Sequence, residues 1–304
     1  YSDSQNIGDL AEIEKRFNFS QSEEENPYVT EFLKWFPDLV ESLKVIRFTG
    51  GEPLYSNGMY KCFEILEDKS HKDLTIELNS NLSTSITQIS KLEKSLNKVT
   101  IFKRKRIVTS LDTWGNQSEY IRFGLNLEKF KVNFEYLLEN MPELEFRITV
   151  TFNILSAFNF NSLLFYVLDL KRKYKTYDKI LLSLYPLISP YHLSIKVLDE
   201  EASKYLNDSL AIMEKYKISE IEAYGFNDYE IDSFRKIIDF YKDSYPKKLK
   251  KTLQSDFFNF ISDYDYRKGL SIKESFPEIV SFWNKCKEQN DSDLIFAFRS
   301  DLVK

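Results

Sequence analysis

Gly50-Gly51-Glu52-Pro53 are the residues whose types and spacing most invite chemistry. They follow Val45-Ile46-Arg47-Phe48-Thr49, a run of strand character, so they stand where a buried strand ends and the backbone turns. The two glycines can take positive φ and let a ligand approach the main chain. Pro53 removes a donor and fixes the exit. Glu52 is then an anionic acceptor at the rim of a sheet or barrel. An ordinary strand–turn–helix junction would use the same four residues, so the motif alone leaves both readings open. The ends of the other expected strands add Asn79 and Asn81, Ser110 and Asp112, Thr151 and Asn153, and Tyr185. Function in parallel α/β folds lies at the carboxyl ends of strands. Together these ends describe a pocket for a polar, charged small molecule. Arg122, one turn into a helix opened near Ser118, could clamp a carboxylate with help from the positive helix end; a solvated or ion-paired arginine is the alternative.

The elements that must position these residues alternate. Residues 5–17 read as a helix with Ile7, Leu10, Ile13 and Phe17 on one face, followed by a polar, acidic loop to Asn26. Asn26-Pro27 looks like an N-cap followed by Pro at the first helical position. The helix it opens is expected to run to Leu43 with a break near Pro37. Strands are expected at 45–49, 74–78, 106–111, 146–152 and 179–185. Helical segments are expected at 55–67, 86–96, 118–141 with a break near Gly124, and 159–174. The strands read as apolar enough to be buried on both faces, which argues for parallel pairing and for a (β/α) barrel or a doubly wound sheet. Ile195–Leu198 reads as one more strand. Beyond Asp199 the chain is helical, at 200–216, 227–243, 255–264 and 275–288, with Leu294–Phe298 as an apolar stretch that should dock.

Bulk composition narrows the class. The chain has 304 residues and a net charge of −5, with 25 Phe, 19 Tyr and only 8 Gly. It is long enough to bury a large core, and its charge gives no general pull toward nucleic acid. No apolar run reaches the ~18 residues of a membrane span, and no signal-peptide pattern is present. Cys62 and Cys286 are the only cysteines, which leaves no disulfide framework and points to a cytoplasmic setting. The basic runs at Lys103–Arg106 and Lys247–Lys251 read as solvated loops rather than nucleic-acid patches. His71 and His192 have no partner motif, so a Ser-His-Asp triad or a zinc site is not expected. There is no P-loop or Rossmann fingerprint.

Several motifs resemble one family. Gly50-Gly51-Glu52-Pro53 resembles the SAM amino-group motif of radical SAM enzymes. Ser110-Leu111-Asp112-Thr113-Trp114-Gly115 and Glu119-Tyr120-Ile121-Arg122-Phe123-Gly124 resemble the twitch domain-containing branch found in phages and bacteria. Tyr264-Asp265-Tyr266-Arg267 and Phe276-Pro277-Glu278 are similar to that branch's C-terminal segment. The resemblance implies a partial (β/α)6 TIM-like barrel over residues 1–198 and a helical C-terminal extension over 199–304, packed on the barrel. It implies S-adenosylmethionine, a [4Fe–4S] cluster with one open iron site, and hydrogen abstraction by a 5′-deoxyadenosyl radical. Gly50, Gly51, Glu52 and Pro53 would hold the SAM amino group. Ser110 and Asp112 would face its ribose and methionine portions, and Arg122 its carboxylate. Asn79 and Asn81 would line a strand end, and Asn153 would sit near the adenine. A peptide or protein substrate and an electron donor such as flavodoxin or ferredoxin follow at family level. The cluster needs three cysteines spaced C-x3-C-x2-C, and no cysteine precedes Cys62. Tyr1-Ser2-Asp3-Ser4 look like the residues just after such a loop, so a missing first strand and cluster loop are expected. The alternative is a cluster-less barrel that binds SAM or a peptide without radical chemistry. With Cys62 and Cys286 so far apart, no auxiliary cluster is expected.

Overall fold

The computed structural model describes residues 26–67, 71–100 and 102–301, with side chains through 291 apart from that of His71. The expected N-terminal helix and the segment before Asn26 lie outside the described residues. The elements are α1 Pro27–Val40, β1 Val45–Phe48, α2 Asn57–Glu67, β2 His71–Asn79, α3 Ile86–Lys98, β3 Phe102–Ser110, α4 Asn116–Ile121, α5 Leu127–Asn140, β4 Leu144–Phe152, α6 Ile154–Lys173 and β5 Ile180–Pro186. Then come α7 Ser203–Lys215, α8 Asp228–Lys242, α9 Lys247–Lys268, α10 Ile272–Ser275 and α11 Val280–Asp301, with short 3-10 turns between. The strands form one five-stranded parallel sheet in the order β1-β2-β3-β4-β5. Phe48 pairs with Leu78 in the first pair of strands, and Phe146 with Ile180 in the last. An α/β class with a parallel sheet is therefore observed.

The chain divides into two compact units, one of residues 1–79 and 86–105, the other of residues 80–85 and 106–304. In the first unit, α1 starts as its sequence dictates: the Asn26 side chain accepts the Tyr28 N–H at 3.0 Å, and Pro27 follows. The expected break at Pro37 does not occur; the helix runs to Val40, with Phe36 and Val40 buried on either side of the proline. Phe36, Phe63, Leu66, Ile76, Leu78, Ile89, Leu92 and Leu96 fill this unit's core.

In the second unit, β4 alternates strictly between buried and half-buried residues. Phe146, Ile148, Val150 and Phe152 face the core, where Phe134 meets Phe146 at 4.3 Å and Phe160 stacks on Phe234 at 5.3 Å. The other face carries Glu145, Arg147, Thr149 and Thr151. Burial on both faces, expected from apolar content, holds for Leu74–Leu78 of β2, whereas β4 has one dry face and one half-buried polar face. The basic run is corrected too. Lys103–Arg106 lie inside β3, not in a solvated loop before it. Lys105 is buried with its ammonium bonded to the Leu96 carbonyl, and Arg106 pairs with Glu145 at 2.8 Å.

The expected strand at Ile195–Leu198 is a 3-10 turn over Ile195–Val197. The Ser194 hydroxyl takes the Lys196 N–H, and the Ser194 carbonyl takes that of Val197. Local capping by serine overrides the β-branched preference here. Among the described residues no sixth strand therefore joins β5. Instead α8 packs against it, and Glu230 of α8 accepts the Leu182 N–H at 2.9 Å. Lys171 and Glu230 are both fully buried and paired at 2.7 Å. The apolar stretch Leu294–Phe298 falls within α11, and its side chains lie outside the described residues.

Candidate functional site

The residues expected to form one pocket fall in both units. Gly50, Gly51, Glu52, Pro53 and Asn79 belong to the first; Asn81, Ser110, Asp112, Arg122 and Asn153 belong to the second.

In the first unit the turn leaves β1 through two left-handed residues, Gly50 at φ +93° and Gly51 at φ +39°. A Cβ at either would meet nothing within 4 Å, so conformation rather than crowding demands glycine, and the backbone stays open on that side. Glu52 then caps a 3-10 turn over Pro53–Tyr55, with Oε1 accepting the Leu54 N–H at 3.3 Å. Residues Thr49 to Pro53, with Ser56 and Met59, line an open cleft of about 520 Å³. Burial, and then the Glu52 charge, push the nearby Tyr60 phenol up to about 12; its hydroxyl donates to the Leu54 carbonyl.

Asn79 ends β2 beside this turn. Its Nδ2 donates to Thr49 Oγ1 at 3.3 Å, while its Oδ1 is buried with no donor. Swapping the two amide atoms would still leave one of them unmatched, because only one faces Thr49. A buried polar atom without a partner is uncommon and calls for an explanation.

In the second unit Asp112 lies just past β3 and is buried. Its Oδ1 accepts the Thr151 N–H at 2.8 Å and an Arg122 Nη2 bond at 3.1 Å. Arg122 Nε stands 2.9 Å from Oδ2 without the direction of a hydrogen bond. Burial raises the Asp112 pKa, opposed by the Arg122 charge and by the bonds from Arg122 and Thr151. The expectation for Arg122 needs correcting: it is not in a first helical turn but caps the C-terminus of the six-residue α4, and its carboxylate partner is Asp112. No helix dipole supports a ligand there.

The motif segments behind the resemblance gather around α4. Tyr120 donates to Asp265 at 2.6 Å, and Asp265 also takes the Ile272 N–H. Tyr264 donates to the Tyr120 carbonyl at 2.7 Å, Phe276 packs edge-on to the Tyr120 ring, and Gln117 reaches Glu278. Glu119 accepts the Leu127 N–H at 2.7 Å and so fixes the start of α5. These residues hold Arg122's helix in place.

The remaining expected residues are held by local bonds. Asn153 N-caps α6 in a capping box with Ser156, and its amide donates to the Thr151 carbonyl. Its oxygen is thus committed to the backbone. Asn81 is exposed and accepts the Ser83 N–H at 2.8 Å, and Ser110 is half-buried at the end of β3. Trp114 stacks on Tyr166 at 3.5 Å.

Cys62 and Cys286 are buried free thiols. Burial pushes the Cys62 thiol up to about 12 and raises that of Cys286 as well. Among the described residues no group of three or more His, Cys, Asp or Glu could hold a metal ion, and no helix is long and apolar enough to cross a membrane. Comparison of the chain with protein-family models, with curated proteins and with solved structures returns no match in any of the three.

Proposed function

We propose that the turn Gly50–Pro53 and Asn79 hold the amino group of S-adenosylmethionine, and that the chain is the SAM-binding part of a radical SAM enzyme on a partial (β/α)6 barrel. The carrying observation is the buried, unmatched Oδ1 of Asn79 beside a turn that offers the Glu52 carboxylate. An ammonium group donates three hydrogen bonds and suits acceptors of this kind. The five parallel strands in chain order support the barrel reading. A peptide or protein substrate and a flavodoxin- or ferredoxin-type electron donor belong to the same proposal.

A [4Fe–4S] cluster does not fit the residues of this sequence. Its ligands are thiolates, and the two cysteines are buried thiols whose ionisation burial opposes. Cluster ligands would have to come from other residues. The same observation favours a second reading, a cluster-less barrel that binds SAM or a peptide without radical chemistry.

Calorimetric titration with SAM tests the shared part. Glu52→Gln, which keeps an acceptor for the Leu54 N–H, should weaken binding about tenfold through loss of a charge-assisted bond. Unchanged affinity, or no wild-type binding, would sink the assignment. Protein expressed with all residues its gene encodes separates the two readings. Anaerobic reconstitution should load about four irons per chain and give dithionite-dependent 5′-deoxyadenosine. SAM binding without either product supports the cluster-less reading.

A further inference from the structure

On the polar face of the second unit's strands, two arginines stand in different electrostatic conditions. Arg106 is neutralised by Glu145, with Nη2 at 2.8 Å and Nε at 3.2 Å from the same carboxylate oxygen. Arg147, two residues further along β4 on that face, has no such partner. Its Nε is buried without an acceptor, and among the described residues no carboxylate pairs with it.

Beyond an apolar neighbour, the face that carries Arg147 continues in hydroxyls. The register sets Leu181 beside Arg147, then Ser183 beside Thr149 and Tyr185 beside Thr151, moving toward the carboxyl ends of the strands. Ser183 is buried, and its hydroxyl lies 3.5 Å from that of Tyr229. Same-face positions repeat about every 6.6 Å along a strand, so the guanidinium and the Thr149 and Ser183 hydroxyls lie within the span of one small ligand. An N–H held out of water without an acceptor is unfavourable, and Nε of half-buried Arg147 is such a group. A planar fork of N–H donors is matched by an oxyanion.

We infer that this face binds the carboxylate or phosphate of a small molecule, with Arg147 as anchor and Thr149 and Ser183 as hydroxyl partners. The site stands on the second unit alone and does not depend on SAM binding.

Arginine Nε–Hε resonances of the isotope-labelled full chain report on it directly. Inorganic phosphate and acetate are added in separate series at constant ionic strength. One resonance, absent in Arg147→Met, should shift saturably. Saturation by phosphate alone assigns a phosphate ligand, by acetate alone a carboxylate, and by both a general oxyanion site. Arg147→Lys keeps the charge but not the fork and should bind about tenfold more weakly. This variant carries the comparison if Arg147→Met does not fold. No saturable shift with either probe, a shift that persists in Arg147→Met, or unchanged affinity in Arg147→Lys would overturn the inference.

Discussion

Glu230 and Asp112 are buried carboxylates of the second unit, each paired with a cation, and they do opposite things. Glu230 is completely satisfied: it takes two bonds from Lys171 and one each from the Leu182 and Asn227 N–H groups. The Lys171 ammonium spends its third donor on the Gly225 carbonyl. Burial lowers the Lys171 pKa, opposed by the charge and hydrogen bond of Glu230. Asp112 is paired less completely, since Arg122 keeps about a third of its side chain exposed and its Nε lacks a directed bond. The first pair closes a sheet edge. The second leaves part of its arginine facing solvent. Glu52, half-buried at an open cleft, continues the series.

The largest effect should come from Glu230. Glu230→Ala strands the Lys171 charge and should cost about 3–5 kcal/mol in urea unfolding. Replacing both partners by Lys171→Met with Glu230→Leu should cost less, because no buried charge is left alone. A single-variant loss near the ~1 kcal/mol of an exposed pair would erase the contrast. Arg122→Met should cost less, about 1–3 kcal/mol, since Asp112 keeps its bond from the Thr151 N–H. A loss as large as that of Glu230→Ala would show the two pairs to be alike.

The smallest effect belongs to Glu52. The folded state raises the Tyr60 pKa to about 12, above the ordinary value of about 10. The stability this gives is complete below about pH 10 and is lost as pH rises through the folded value. Phenolate absorbance, referenced to Tyr60→Phe, should place the transition there. Glu52→Gln should lower the midpoint only slightly, because burial is the larger cause. A fall to the ordinary tyrosine value would make the Glu52 charge dominant and reverse the order of the series.

Much of the fold was legible because local chemistry and tertiary packing agree. Asn26-Pro27 caps where its side chain allows, and the alternating Leu-Glu-Phe-Arg-Ile-Thr-Val-Thr-Phe of β4 spells out its two faces. Reading failed where the identity of a hydrogen-bond partner decides. Lys105 looks solvated until the Leu96 carbonyl is found to receive its ammonium. Ile195 and Val197 look like a strand until Ser194 caps them. At the candidate site the strand-end positions were readable, but their partners were not. Arg122 meets Asp112 across the Trp114–Gly115 turn. Asn153 forms a capping box with Ser156 at a strand end that also reads as a ligand position.

The carboxylate of Glu230 also has a consequence for the company this protein keeps. The outermost strand of a sheet is a template on which a foreign strand can grow. Here the Leu182 amide is already occupied by a side chain that no incoming backbone can displace without exposing a buried lysine to an uncharged neighbour. Intermolecular strand addition at β5 is thereby discouraged from within the molecule.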